Sequence, residues 1–148
     1  MSLKIRICSV GKPRLGYARS GVDEYFGRLK HYQETNWAVV KAGNSMDEGK
    51  QLIKSTEGCY RVLLDEVGSQ WTSRQLAACL ETWELEQQKP IAFIIGGADG
   101  HSSEIRKAVD SQWSLGKLTL QHELALVVLL EQLYRAQTIR RGEPYHRD

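Results

Sequence analysis

Two short stretches of this chain gather side chains that could do chemistry, and neither is a nucleophile or metal motif. In Gly96-Gly97-Ala98-Asp99-Gly100, the glycines would let a backbone approach a ligand closely and free its N–H groups for hydrogen bonding. The turn lacks both GxGxxG spacing and the lysine and hydroxyl of a P-loop, so nicotinamide binding and phosphate cradling are poorly supported. A plain tight turn is the competing reading. At the other end, Pro144-Tyr145-His146-Arg147-Asp148 follows Arg140-Arg141-Gly142. An aromatic ring, an imidazole and a guanidinium in succession supply stacking, proton exchange and phosphate pairing, a set suited to holding an unstacked RNA base. A frayed terminus is the alternative. His122, just before a strongly apolar run, is either a capping-region side chain or a site residue. Cys8, Cys59 and Cys79 have no CxxC or Cys/His spacing and no nucleophile motif around them. They read as small buried apolar residues, not as a disulfide framework, a zinc site or a hydrolase centre.

Strands and helices that alternate must position these segments. Residues 3–10 alternate apolar and polar side chains, the period of a half-buried strand, and Gly11-Lys12-Pro13 ends it. Val22, Tyr25, Phe26, Leu29 and Tyr32 recur at helical spacing over 17–32. A strand is expected at 37–41, a helix at 46–57, an apolar strand at 60–65 (YRVLLD) and a helix over 73–87 with Leu76, Leu80 and Trp83 on one face. Residues 91–95 (IAFII) are continuously apolar, as a central parallel strand covered on both faces would be. A helix at 102–111, a short strand within 114–120 and an apolar helix at 123–139 complete the order. The pattern predicts an α/β fold with a mainly parallel sheet in one domain spanning residues 1–148. Ligands in such a sheet bind at the carboxyl ends of strands: after Leu64-Asp65, after Ile95, and within 115–120. The 123–139 helix is apolar around most of its circumference, so it either lies under other elements or forms part of a homodimer interface, the reading favoured here.

Residues 1–30 carry seven basic against two acidic side chains, residues 42–104 five against ten, and residues 105–148 seven against five. A basic face assembled from both ends could contact phosphates; ordinary solvated surface is the alternative. No run approaches a membrane span, and the first residues lack a signal peptide's apolar region, so a cytoplasmic protein is expected.

Taken together, Val10-Gly11-Lys12, YRVLLDEVG, the IIGGADG turn, WSLGKLTLQHE and EQLYRAQTIRRGEPYHRD resemble the RlmH family of small SPOUT ribosomal RNA methyltransferases, over essentially the whole chain. The resemblance implies a SPOUT-type sheet with helices on both faces and a trefoil knot near the carboxyl terminus. It also implies a homodimer that uses S-adenosylmethionine to methylate N3 of a pseudouridine in helix 69 of 23S rRNA, within the assembled 70S ribosome. No metal is implied. By matching positions, the cofactor would contact Leu64, Gly96 and the loop Leu115, Gly116, Lys117, Leu118, Thr119 and Leu120, mostly through backbone atoms. Tyr145, His146 and Arg147 would reach the partner subunit's pocket, with Arg135 and His122 close by, for RNA binding or catalysis. Asp99 stands where the family has Glu or Asn. Gln121 replaces a proline, and Leu126 an arginine whose loss would weaken a phosphate contact unless Lys117, Arg140 or Arg141 substitutes. A ribosome-binding module without efficient catalysis, and methylation of another RNA such as tRNA, are the rival readings.

Overall fold

A computed structural model describes residues 3–147; Asp148, the last residue of the tail motif, lies outside them. Strands and helices alternate as β1 (Lys4–Val10), α1 (Gly16–Lys30), β2 (Glu34–Val40), α2 (Ser45–Ser55), β3 (Tyr60–Gln70), α3 (Ser73–Glu86), β4 (Ile91–Ile95), α4 (Ser103–Ala108), β5 (Ser111–Ser114) and α5 (His122–Arg140). The strands form one sheet in the order β2-β1-β4-β3-β5 with every pairing parallel. A parallel sheet needs both faces covered, and the side chains divide accordingly. Ile5, Ile7, Val62, Ile91, Phe93 and Ile95 pack with Val22 and Leu29 of α1, Leu76, Leu80 and Trp83 of α3, and Leu129, Leu130 and Leu133 of α5. Cys8, Val40, Leu63 and Ile94 face the other way, onto Leu52 of α2 and Ile105 of α4. β4 is buried along its whole length. Each such aliphatic side chain contributes about 1.5–3 kcal/mol of burial.

Local chemistry sets the helix starts. Thr72 and Gln75 form a reciprocal capping box for α3, and the side chains of Asn44, Ser102 and Gln121 accept backbone N–H groups at the first turns of α2, α4 and α5. The apolar girdle of α5 is largely covered within the chain, because the helix lies on the sheet between α1 and α3. Gly21 permits that closeness: a Cβ there would stand 2.9 Å from Val127 Cγ1.

β2 begins at Glu34 and not at 37, β3 runs on to Gln70 instead of ending at 65, and two later elements also differ from the sequence reading. The last strand is Ser111–Ser114 and not part of 114–120, and α4 stops at Ala108 instead of continuing to 111. Trp113 is the reason for the first. It is 3% exposed, stacks on Trp71 and packs edge-on with Phe93, which anchors 111–114 to the core. Ser114 Oγ then accepts the Gly116 N–H at 3.2 Å, and Gly116 turns the chain with a φ of +143°, so the extended run ends there. Asp110 explains the second: its N–H donates to Arg61 O at 3.0 Å while its carboxylate accepts the Arg61 N–H at 2.8 Å, drawing the chain out of the helix and onto β3.

Candidate cofactor cavity and tail

β3 pairs with β4 only as far as Leu63, and its register against β5 shifts between Leu64 and Ser69. Residues 65–68 therefore bulge from the sheet, as an inserted segment in one strand of a pair must. Gly68 closes the bulge: a Cβ there would lie 2.6 Å from the Gln112 carbonyl carbon. Behind the bulge, at the carboxyl ends of β3, β4 and β5, is a cavity of about 360 Å³. This is where an open parallel sheet places its ligands.

Six of the eight expected cofactor residues line it: Leu64, Gly96, Leu115, Gly116, Leu118 and Leu120. The other two, Lys117 and Thr119, belong to the same loop but do not line the cavity. Thr119 Oγ1 donates to Glu66 Oε1 at 2.9 Å, tying the loop to the bulge, and Lys117 is exposed beside it. Leu118 is 80% exposed, an apolar wall left uncovered at the opening. Asp65 and Glu66 bring negative charge to the lining and Arg106 positive charge, and the nearly buried Asp65 carboxylate pairs with Arg106 at 3.0 Å. Leucines and glycine backbone beside Glu66 suit a cationic nucleoside whose adenine takes apolar and backbone contacts, and the volume lies in the range of small-ligand sites. The residues present therefore fit S-adenosylmethionine.

His122 also lines the cavity, at the first turn of α5. Gln121, not His122, caps that helix, accepting the N–H groups of Glu123 and Leu124 at 2.9 and 3.0 Å. The His122 imidazole is thus left facing the cavity. Sequence reasoning missed His101, which sits one residue after the glycine turn. Its Nε2 lies 2.8 Å from the Leu64 carbonyl oxygen, and burial pushes its pKa below the ordinary imidazole value. The available signal was a histidine at the end of a glycine turn that follows a buried strand.

The tail residues gather elsewhere. Tyr145 packs edge-on against Tyr134 with ring centroids 4.6 Å apart, and the Arg135 guanidinium lies 4.7 Å from the Tyr145 ring centre. Arg135 also reaches His146 Nδ1 at 3.2 Å and Glu131 at 2.9 Å. Glu143 accepts the Tyr32 hydroxyl at 2.5 Å, and its N–H donates to Thr138 O at 2.9 Å. Burial, the largest cause, pushes the Tyr145 phenol up to about 12, so it stays protonated near neutrality. Arg147 is exposed at the end of this arrangement. Arg135 lies thirteen residues beyond His122 on one straight helix, about 20 Å at 1.5 Å per residue. Within one chain, then, the five candidate catalytic residues form two groups: His122 at the cavity, and Arg135, Tyr145, His146 and Arg147 at the far end of α5.

Leu126 is not an RNA-facing position. It is 3% exposed in the core, so an arginine missing there removes no surface cation in this chain. Of the suggested substitutes, Arg140 is committed to Glu81 and Glu84, and Arg141 covers the Tyr32 ring and donates to Tyr32 O. Only Lys117 stands near the cavity opening. Asp99 is exposed on the glycine turn and does not line the cavity. Among the described residues no cluster of His, Cys, Asp and Glu is placed to hold a metal ion, and no helix is long and apolar enough to cross a membrane.

Comparison with known proteins gives consistent matches. The family described as "Predicted SPOUT methyltransferase" matches residues 3–146. Ribosomal RNA large subunit methyltransferase H of Thermus thermophilus is 45% identical over 145 residues, which cover 98% of this chain and 99% of that protein. The protein of the same name from Deinococcus radiodurans is 42% identical, with 98% and 99% covered. Among solved structures, a methylase-family protein from Haemophilus influenzae superposes with a TM-score of 0.58 at 14% identity, over 97% of this chain and 70% of its own. Ribosomal RNA small subunit methyltransferase E of Neisseria gonorrhoeae, bound to S-adenosylmethionine, gives 0.50 at 10% identity, over 87% and 64%. These two structures bear on the fold alone.

Proposed function

Because the chain belongs to the SPOUT methyltransferase family, and within it to the RlmH ribosomal RNA methyltransferases, we propose that it transfers a methyl group from S-adenosylmethionine to 23S rRNA. The acceptor in this reading is N3 of a pseudouridine in helix 69, reached in the assembled 70S ribosome by a knotted, cytoplasmic homodimer. The single observation that carries the reading is the cavity behind the β3 bulge, where Leu64, Gly96, Leu115, Gly116, Leu118 and Leu120 converge with two histidines and two acids.

When bound there, S-adenosylmethionine supplies an electrophilic methyl group on a sulfonium. The chain's own residues have three tasks. Leu64, Leu115, Leu118 and Leu120 take up the apolar part of the ligand and exclude water, while Gly96 and Gly116 offer close backbone approach. Glu66 favours the positive charge of the donor, Asp65 being paired with Arg106. His122 takes the N3 proton, either directly or through a water, as the nitrogen attacks in line. The tail brings the acceptor: Tyr145 stacks on a base, and Arg135 and Arg147 meet phosphate or base edges, in the cavity of the partner subunit.

The test is incubation with labelled S-adenosylmethionine and ribosomes that lack this modification, followed by mapping of the label on 23S rRNA. Label on the helix 69 pseudouridine is the expected result. Label on purified tRNA but not on ribosomes would overturn the substrate assignment.

A further inference from the structure

We propose that His101 is a positioning residue for the cofactor, whose imidazole holds the Leu64 carbonyl where a neighbouring strand would otherwise hold it. The last β3–β4 pair is Leu63 with Ile94, so Leu64, still paired with Trp113 of β5 on its other side, lies one residue past the ladder on its β4 side, at the start of the bulge. A strand end with no ladder partner on its β4 side is held there by nothing else in the sheet, and Leu64 is a wall of the cavity. His101 Nε2 takes the missing place at 2.8 Å from Leu64 O, with the Nε2–H donating.

The same ring also fixes the opposite wall. A Cβ on Gly96 would lie 2.6 Å from His101 Cε1 and 2.8 Å from Nδ1, so the imidazole lies directly against the Gly96 backbone. One side chain thereby sets the spacing between two backbone segments that bind the cofactor.

The role needs the neutral ring. Nδ1 is buried with no hydrogen-bond partner, so a proton added there would be an unsatisfied donor pressed against Gly96. The charged and titratable groups around the ring are Asp65 of β3, Arg106 of α4 and Glu48 of α2, with His122 of α5 also lining the cavity. Asp65 is already paired with Arg106, and Glu48 Oε2 accepts the Gly43 N–H at 3.0 Å. Burial outweighs their combined influence and keeps the ring unprotonated near neutrality.

The inference rests on the reading that this cavity holds S-adenosylmethionine, and the experiment separates the two. Affinity for S-adenosylmethionine is measured by calorimetry on the full chain for wild type, His101→Phe and His101→Gln, between pH 5 and pH 8, with melting curves alongside. Phe retains a ring but has no donor, and Gln retains a donor that cannot titrate. Phe should weaken binding about tenfold, the scale of one hydrogen bond at a buried site, while Gln stays within about threefold of wild type. Wild-type affinity should fall as pH drops below the ordinary imidazole value of 6.5, and that arm should be flattened in the Gln variant.

A folded Phe variant that binds as tightly as wild type overturns the positioning role, as does a Gln variant as weak as Phe. Should Phe fail to fold, the wild-type and Gln pH profiles decide: parallel profiles refute the proposal. Wild-type protein that binds no S-adenosylmethionine at any pH overturns the cavity reading and the role of His101 with it.

Discussion

His122 is the candidate proton acceptor that lines the cavity; Gln121 caps α5 in its place, with its Nε2 3.4 Å from His122 Nδ1, and His122 Nε2 stands 4.0 Å from Glu123 Oε2. Replacing it with alanine should lower the rate of methyl transfer about 10²- to 10⁴-fold, the usual contribution of a positioned acid or base. Cofactor affinity should change little, because the leucines and backbone groups of the cavity remain. Single-turnover rates and calorimetry would check both halves, and an equal loss in both would make His122 a binding residue instead. Its neighbour Glu123 has a different task. Its Oε1 accepts the N–H groups of Arg14 and Leu15 at 2.8 and 2.9 Å, just ahead of α1, and these bonds hold its carboxyl below the ordinary value of 4.5. A depressed carboxyl pKa stabilises the fold above the unfolded value, and that stability is lost as pH falls through the folded value. Glu123→Gln should therefore cost about 1.5–3 kcal/mol near neutrality, on the scale of hydrogen bonds to a charged group. The difference from wild type should narrow as the pH of a urea titration is taken below 4.5. A gap that stays constant with pH would mean that the charge of Glu123 is immaterial. Most of the cavity lining was legible in the sequence, because the ends of strands after 64 and 95 and the loop after them are where an open parallel sheet forms its cavity. His101 was not, because its role depends on where β3 leaves β4, which no local pattern encodes.

At the scale of elements, the β3 bulge makes the site. It turns residues 65–68 away from the sheet, and it is possible only because Gly68 has no side chain to strike Gln112. Gly68→Ala should therefore force β3 and β5 apart, costing about 1–3 kcal/mol of stability as an overpacked contact does. S-adenosylmethionine affinity should fall in the same variant. A Gly68→Ala protein with unchanged melting temperature and affinity would show that the strands adjust freely. The bulge was invisible in the sequence: YRVLLD reads as an ordinary apolar strand, and nothing in EVGSQ marks a return to pairing. The central strand IAFII and the long helices were legible because burial on both faces, or on one stripe, writes itself directly into hydrophobic spacing. β5 was misplaced because its anchor is one buried tryptophan flanked by polar residues, whereas the apolar loop after it has the composition of a strand. The leucines of that loop are apolar because they line a cavity, with Leu118 left largely exposed.

At the scale of the whole molecule, the two groups of candidate catalytic residues lie at opposite ends of α5, about 20 Å apart along the helix. A rigid helix cannot bring them together, and the tail is held at its own end by Tyr32, Tyr134 and Arg135. If both groups act on one nucleotide, they must come from different chains, as an isologous dimer would arrange by placing each tail at the other's cavity. The apolar surface of α5 does not supply this argument, since most of it is covered by α1 and α3; the separation of the site does. A chain ending at Gly142 should keep its cofactor affinity and lose methyl transfer, and a full-length His122→Ala chain should do the same. Mixed and allowed to exchange subunits, the two inactive proteins should regain transfer. In a heterodimer the cavity of the truncated chain keeps its His122 and receives an intact tail from the other subunit. Activity that stays absent in the mixture, after exchange is confirmed by mass spectrometry, would place tail and cavity in the same chain and refute the composite site.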